Sequence, residues 1–349
     1  MWAAAALIFL FTASFFRPYG DLVRGFGDSA AYIQIADAIR HWDFSNVQVK
    51  HFWGLPYAMA LLGKLTGVSS QSALIAISCA SSFAALALAY RLWGGWIALF
   101  TSLLNFDWYQ RSFLGGSEPL FLALLLASIL ALRKEKSKSA ALLASLATIT
   151  RPLGICLLLG IGLDLLRRRQ WIKLAGAVAI SAFIGILYVT PLRLYLHDPL
   201  ATVHSYGMMQ QNDYPALFGI PFRAIFVGTF RYPPPLSNLL LDFAWIFLVI
   251  GGNIAMFTRD FRQYARAHFA EMVFVALYSL SLYTYNLPFW ARSNFARFAI
   301  PILPFVFLAL QRWLPKDRRL LWLFAIVFPA LAASSAVGIQ NVISGLRNR

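Results

Sequence analysis

Long apolar runs separated by short basic connectors are the feature that most constrains how this chain can fold. A run of about 20 apolar residues matches the hydrocarbon core of a bilayer, where a helix satisfies its own backbone groups. Such runs recur along all 349 residues, of which 60% are hydrophobic and 13% charged, and the mean hydropathy is +0.65. This pattern excludes an ordinary soluble domain and predicts an all-α polytopic membrane protein.

The runs predict about eleven crossings, of which the first is short and ends at Arg17. Arg151, followed by proline, interrupts the run 139–166, which predicts two helices meeting there. Residues 55–65 are too few to cross and predict an interfacial or re-entrant helix ending at Gly67. The predicted spans are 2–16, 71–90, 94–106, 118–132, 139–166 (two helices), 171–190, 236–257, 268–286, 298–313 and 320–340.

Basic residues are unevenly distributed among the connectors, and this asymmetry predicts the orientation. More than half of the 30 Lys and Arg residues fall in a few short connectors, at Arg91, 133–138, 167–173, 259–266 and 312–319. Connectors of this kind face the cytoplasm. The two long polar loops, 17–54 and 191–235, are therefore predicted on the other side. The net charge of +16 then reflects topology and attraction to lipid, and we expect no nucleic-acid partner.

The first long loop, 17–54, contains the candidate catalytic group, Asp28. Residues 29–40 have apolar residues at helical spacing, which predicts an amphipathic helix on the membrane surface with Asp28 as its N-cap. Gly27 permits a tight turn immediately before it. The other carboxylates of the loop are predicted to be solvated surface charges: Asp21, Asp37 and Asp43.

Ionisable residues from several segments are predicted to share the non-cytoplasmic rim of the protein. They are Asp28, Lys50, Asp107, Arg111, Glu118, Arg151, Arg292 and Arg297. Such a rim suits an anionic head group on a lipid tail, because cations bind phosphate and a carboxylate accepts a proton. Structural alternatives stay open for three of these residues. Arg292 and Arg297 can extend to the interface from helix ends, and Glu118 can be a favourable charge at a helix start.

The motifs of common soluble enzymes are absent from the sequence, including the P-loop, the dinucleotide-binding glycine pattern and the zinc-protease HExxH. His41 and His51 form only a weak metal-binding pattern. We therefore predict no cofactor, with a divalent metal left open. Cys79 and Cys156 both lie in apolar runs, so the sequence implies no disulfide framework.

Several segments together resemble the GT-C superfamily of integral membrane glycosyltransferases. These are a first span, a long outer loop with an early acidic residue, and a short helix, LPYAMALLGKLTGV, before the second span. Within that superfamily the chain resembles the PIG-V-like mannosyltransferases, which add the second mannose to glycosylphosphatidylinositol. The segments that carry this resemblance are RSFLGGSEPLFLALL (111–125), SLATITRPLGICLLL (145–159) and NFARFAIPILP (294–304). The chain is shorter than the eukaryotic members, which suggests a bacterial relative in the plasma membrane.

The resemblance implies one glycosyltransferase domain over 1–349, with a catalytic N-terminal half, 1–166, and a C-terminal half, 167–349. It implies inverting transfer of a sugar, mannose in that family, from a polyprenyl or dolichyl phosphate to a hydroxyl of a lipid-linked or other acceptor. The reaction would take place on the non-cytoplasmic side. Asp28 would then be the base, and Glu118 would orient the sugar or the base. The implied ligands of the donor phosphate are Lys50, Arg111, Arg151 and Arg297.

Two other function classes remain open. A transporter or lipid flippase would use polar residues within spans, for which Asp164 and Asp242 are candidates, and internal repeats, which the sequence lacks. Another lipid-linked enzyme, such as an acyltransferase or phosphotransferase, would share the phosphate-binding rim. A membrane-bound acyltransferase would need a histidine within a span, and none of the five histidines lies clearly inside one.

Overall fold

The computed structural model describes residues 1–44, 47, 49, 51–208 and 216–347. These residues fold mostly into helices joined by short turns. The helices are α1 Trp2–Phe16, α2 Tyr19–Gly25, α3 Ser29–His41, α4 Gly54–Thr66, α5 Ser70–Trp93, α6 Gly95–Leu103, α7 Phe106–Phe113, α8 Glu118–Arg133, α9 Ser137–Thr150, α10 Ile155–Arg167, α11 Trp171–Leu196, α12 Ala201–Met208, α13 Arg223–Arg231, α14 Leu236–Ala255, α15 Arg259–Ala267, α16 Phe269–Thr284, α17 Pro288–Ser293, α18 Phe295–Ala299, α19 Leu303–Ala309 and α20 Arg318–Arg347. Short 3-10 turns, Pro152–Gly154 and Ile300–Ile302, precede α10 and α19.

Several of these helices are long and apolar enough to cross a membrane. Over the described part of the chain, four qualify singly: α5, α11, α14 and residues 318–340 of α20. The pairs α1–α2 and α7–α8, bent by 93° and 100°, raise the number to six if each pair is one span. The predicted all-α class is confirmed for these residues, and the apolar helices support a polytopic membrane protein. The larger number of crossings stays a prediction.

Helix α11 shows the surface pattern that a bilayer permits. Its buried residues are Ala177, Ile184, Tyr188 and Leu192, which recur at helical spacing on one face. Outside that face, large apolar side chains such as that of Phe183 are exposed. An exposed apolar surface of this extent is unfavourable in water and favourable against lipid tails.

Three local predictions are confirmed by the helix boundaries. The amphipathic segment after Asp28 forms α3, and the short apolar segment forms α4, which ends where Gly67 adopts a left-handed φ of 77°. The run 139–166 breaks as predicted, because α9 ends at Thr150 and Arg151 is extended, with φ −147° and ψ 130°. The proline that follows Arg151 opens a new helical segment, as its fixed φ favours.

Two predictions about the polar loops are wrong in detail. Helix α11 runs through Pro191 to Leu196, and the predicted loop 191–235 also contains α12 and α13. Asp37, predicted to be a solvated surface charge, is half-buried and accepts a hydrogen bond from Ser70 Oγ at 2.5 Å. Asp21 and Asp43 are exposed, as predicted.

The first compact unit contains residues 1–126 and 315–349, so the two ends of the chain fold together. Helix α1 packs along α20, and Gln340 of α20 donates a hydrogen bond to the carbonyl of Leu22 at 2.6 Å. Trp2 and Phe9 of α1 stack on Tyr109 of α7, with ring centroids 5.1 and 6.2 Å apart. This aromatic packing fixes α7 in the unit that contains Asp28.

The second unit contains residues 127–314, so the predicted division at residue 166 falls inside it. Helices α10 and α16 cross closely within this unit, and Gly160 faces the backbone of Ala270 there. At one end of this pair, Arg133 donates two hydrogen bonds of 2.9 Å to the buried carboxylate of Glu271. Tyr264 donates a third hydrogen bond to that carboxylate. Because its charge is paired, the buried carboxylate is compatible with a stable core.

Candidate functional site

Asp28 occupies the N-cap position of α3, but its carboxylate does not cap the helix. Its φ of −89° and ψ of 0° differ from the extended geometry typical of caps, and its side chain makes no capping hydrogen bond. Only its backbone carbonyl takes part, by accepting a hydrogen bond from Tyr32 N at 3.1 Å. The prediction that the Asp28 side chain caps α3 is therefore wrong, and its carboxylate faces other groups.

Two basic side chains flank the carboxylate of Asp28, one on each oxygen. His51 Nε2 lies 3.9 Å from Oδ1, and Arg111 Nη1 lies 4.0 Å from Oδ2. The carboxylate side chain is 26% exposed, whereas those of His51 and Arg111 are 10% and 8% exposed. These distances are those of ion pairs rather than direct hydrogen bonds. The carboxylate is thus reachable from solvent, and its two basic neighbours are nearly buried.

Arg111 reaches Asp28 because two glycines leave room for it. Its guanidinium lies 4.6 Å from the ring centroid of Phe26 and is held there by a cation–π contact. A Cβ added to Gly27, whose φ is +47°, would lie 2.7 Å from Arg111 Nη1. A Cβ added to Gly116 would lie 2.6 Å from Arg111 Cδ. A larger residue at either position would displace the guanidinium from the carboxylate.

Glu118 belongs to the same cluster and is fully buried in the first turn of α8. A Cβ added to Gly116 would lie 2.8 Å from Glu118 Oε2, so the carboxylate and Arg111 both border this glycine. Helix α3 anchors the connection between α7 and α8, since Ser29 Oγ donates to the carbonyl of Leu114 at 3.1 Å. Tyr32 donates a second anchoring hydrogen bond, to Ser117 Oγ at 3.0 Å. The structure therefore brings Asp28, Arg111 and Glu118 together in the first unit.

The second unit brings together two further predicted site residues, Arg151 and Arg297. The guanidinium carbon of each lies 6.0 Å from the ring centroid of Phe298. Arg151 is in the break between α9 and α10, and Arg297 is in α18, where it is 9% exposed. The hydroxyl of Tyr278 donates to the carbonyl of Phe298 at 2.9 Å and fixes the backbone on which the ring is mounted. Both guanidinium groups therefore lie near the same aromatic ring.

The remaining residues of the predicted rim have different surroundings. Arg292 is buried and donates hydrogen bonds to the carboxylate of Asp242 and, at 3.1 Å, to the carbonyl of Tyr232, so it is a structural residue of the second unit. Asp107 is half-buried in the first turn of α7. Lys50, predicted as a phosphate ligand, lies outside the described residues.

His51 is the site residue whose position the sequence did not predict. The sequence pattern suggested only a weak metal site with His41, and His41 is exposed at the end of α3. The available signal was a histidine at the end of the polar loop that contains the candidate carboxylate. Among the residues that the structure describes, no group of three or more His, Cys, Asp or Glu side chains is placed to hold a metal ion.

A separate cleft of about 270 Å³ lies in the second unit and contains none of the predicted site residues. It is bordered by the Arg133–Glu271 pair and by the ends of α10 and α11. The charged residues that line the cleft include Asp164 and Arg168, which form an ion pair of 2.8 Å. The charges on its wall are thus largely matched within the protein.

Comparison with known proteins assigns no family to the chain. No family model matches it, and no curated protein matches it.

Proposed function

We propose that this protein is a membrane-embedded glycosyltransferase that moves a sugar from a polyprenyl-phosphate donor to a hydroxyl group. The observation that carries the proposal is the carboxylate of Asp28, which is partly exposed, does not cap α3 and is flanked by two basic side chains. A carboxylate that is not committed to its own helix is suited to accept a proton from a substrate. The resemblance to GT-C enzymes supports the same role.

In the proposed reaction, Asp28 removes the proton of the acceptor hydroxyl as the oxygen attacks the anomeric carbon of the sugar. The bond between that carbon and the phosphate oxygen breaks, and the phosphate leaves with the bonding electrons, so the configuration is inverted. Arg111 favours the ionised form of the Asp28 carboxylate before the reaction, because a neighbouring positive charge stabilises it. Glu118 borders Arg111 and restricts its position.

The donor phosphate requires cations, and we assign that role to Arg151 and Arg297. Charge-assisted hydrogen bonds from arginine are a common way of binding phosphate. The support for this assignment is that both guanidinium groups lie near the ring of Phe298 in the second unit. Arg111 was predicted as a further phosphate ligand, and its contact with Asp28 favours a role beside the base instead. Mannose as the sugar, a lipid-linked acceptor and a non-cytoplasmic site in a bacterial plasma membrane complete the proposal.

The transporter alternative depends on charged groups within the spans. Asp164 forms ion pairs with Arg167 and Arg168, at 3.0 and 2.8 Å, and Asp242 forms one with Arg292. Because neighbouring arginines neutralise both carboxylates, these two residues do not by themselves favour a substrate path. We therefore retain the enzyme as the proposed function.

A sugar-transfer assay with purified protein tests the proposal. Radiolabelled mannosyl polyprenyl phosphate would be supplied in detergent with lipid acceptors, and the transfer of label would be measured. Asp28→Asn keeps the size of the side chain and removes the base, so we expect the rate to fall by about a hundredfold or more. Asp37→Asn is the matched control and should keep most activity, because an amide oxygen can still accept the hydrogen bond from Ser70.

Two results would contradict the proposal. A wild-type protein that transfers no sugar from any polyprenyl-phosphate donor would remove the proposed function. An Asp28→Asn variant with a wild-type rate would remove Asp28 as the base, whatever the donor.

A further inference from the structure

His51 is held against Asp28 by its surroundings. The residue is 8% exposed, and its ring packs on that of Tyr32 with centroids 5.1 Å apart. Tyr32 is itself fixed, since its hydroxyl donates to Ser117 Oγ and its backbone belongs to α3. The ring of His51 therefore has little freedom to turn away from the carboxylate, which lies 3.9 Å from Nε2.

The charge on this ring determines how many cations face the carboxylate. From α3 and its N-cap, the ring faces Tyr32 and Asp28, and Arg111 of α7 with Glu118 of α8 lies on the other side of that carboxylate. Among the residues that the structure describes, Arg111 is the cation that faces Asp28 when the His51 ring is neutral. Protonation of the ring adds a second positive charge beside the carboxylate, which makes Asp28 a weaker base because both charges stabilise its ionised form.

We infer that His51 is a positioning residue that sets the charge state in which Asp28 works as the base. The inference rests on the proposed function, because it concerns the same proton transfer. The ring of His51 lies beside Oδ1 of the carboxylate, and the enzyme is active when this ring is neutral. The acidic limit of activity is then set by the histidine rather than by the aspartate.

The rate of sugar transfer as a function of pH tests this inference. In model peptides histidine titrates about 2.5 pH units above aspartate. We therefore expect His51→Gln to move the acidic limb of the profile to lower pH by about 2 units, with a rate within about tenfold of wild type on the plateau. His41→Gln is the matched control, since His41 is an exposed histidine of the same loop, and its profile should equal that of wild type.

A purely structural role for His51 gives a different result. The variant would then lose the same factor of activity at every pH, and the acidic limb would stay in place. That outcome, or an unchanged profile, overturns the inference while leaving the proposed function intact.

A titration that needs no activity separates the two proposals. The chain has five histidines, so histidine-selective isotope labelling gives a simple NMR spectrum, in which His51→Gln identifies the ring. If the contact exists, Asp28→Asn removes an anionic neighbour and moves the titration of His51 to lower pH. An unchanged titration overturns the inference. A shifted titration in a protein without transfer activity supports the contact and overturns the proposed function.

Discussion

Replacing Gly160 by alanine should destabilise the second unit, and the structure allows the size of the effect to be worked out. The added Cβ would lie 2.3 Å from the carbonyl oxygen of Ala270, across the crossing of α10 and α16. Relief requires the two helices to separate by about 1 Å, because the contact is with backbone and cannot be avoided by a rotamer change. Overpacking of this kind costs about 3 kcal/mol at its upper range. Alanine recovers about 1 kcal/mol of helix propensity, so the net loss is about 2 kcal/mol.

Equilibrium unfolding in mixed micelles, with an increasing mole fraction of denaturing detergent, would measure this loss from circular dichroism. Gly185→Ala is the matched control, because an added Cβ at that position of α11 has nothing within 4 Å. The control should lose no stability and gain up to about 1 kcal/mol from helix propensity. If Gly160→Ala is as stable as Gly185→Ala, the close contact of Gly160 with the backbone of Ala270 is refuted.

Three further predictions concern the ion pairs, the donor site and the topology. Glu271→Gln should lower the free energy of unfolding by about 3 kcal/mol, since Arg133 loses a buried partner. The double variant Glu271→Gln, Arg133→Met should lose less free energy of unfolding than the two single variants lose in sum. Additive losses would contradict the coupling between Arg133 and Glu271. Arg151→Ala should weaken donor binding by about 1.5–3 kcal/mol, measured as apparent affinity, and a wild-type affinity would make Arg151 structural. In a variant without Cys79 and Cys156, cysteines introduced at positions 45 and 205 should both react with an impermeant thiol reagent added to intact cells. Labelling of only one of them would refute the prediction that loops 17–54 and 191–235 face the same side of the membrane.

The long helices α5, α11 and α14 could be predicted from the sequence because their apolar runs have the length of membrane helices. The break at Arg151 was predictable because the proline after it lacks a backbone donor in the middle of an apolar run. That rule failed at Pro191, where α11 continues to Leu196. A proline costs one helical hydrogen bond, and an apolar helix with packed neighbours tolerates that cost. Sequence alone does not show which prolines are accommodated.

The candidate site was predictable in its residue types but not in its contacts. The predicted topology puts Asp28, Arg111 and Glu118 on one side of the membrane, and the structure shows that they lie around Gly27 and Gly116. Which cation meets which carboxylate depends on tertiary packing. The contact of Arg111 with Asp28 joins α7 to the start of α3, and no local pattern records it.

The carboxylate of Asp28 cannot cap α3 and also lie between His51 and Arg111. An aspartate before an amphipathic helix is a favoured cap, and a capping hydrogen bond contributes about 1 kcal/mol to stability. In the structure α3 begins without that bond, and the carboxylate lies between His51 and Arg111. Helix α3 has a capping residue at its N-terminus but no side-chain capping hydrogen bond. This departs from local sequence preference, and such departures concentrate at functional sites. Asparagine caps as well as aspartate, so Asp28→Asn changes the chemistry of this position and leaves the local demand of the helix unchanged.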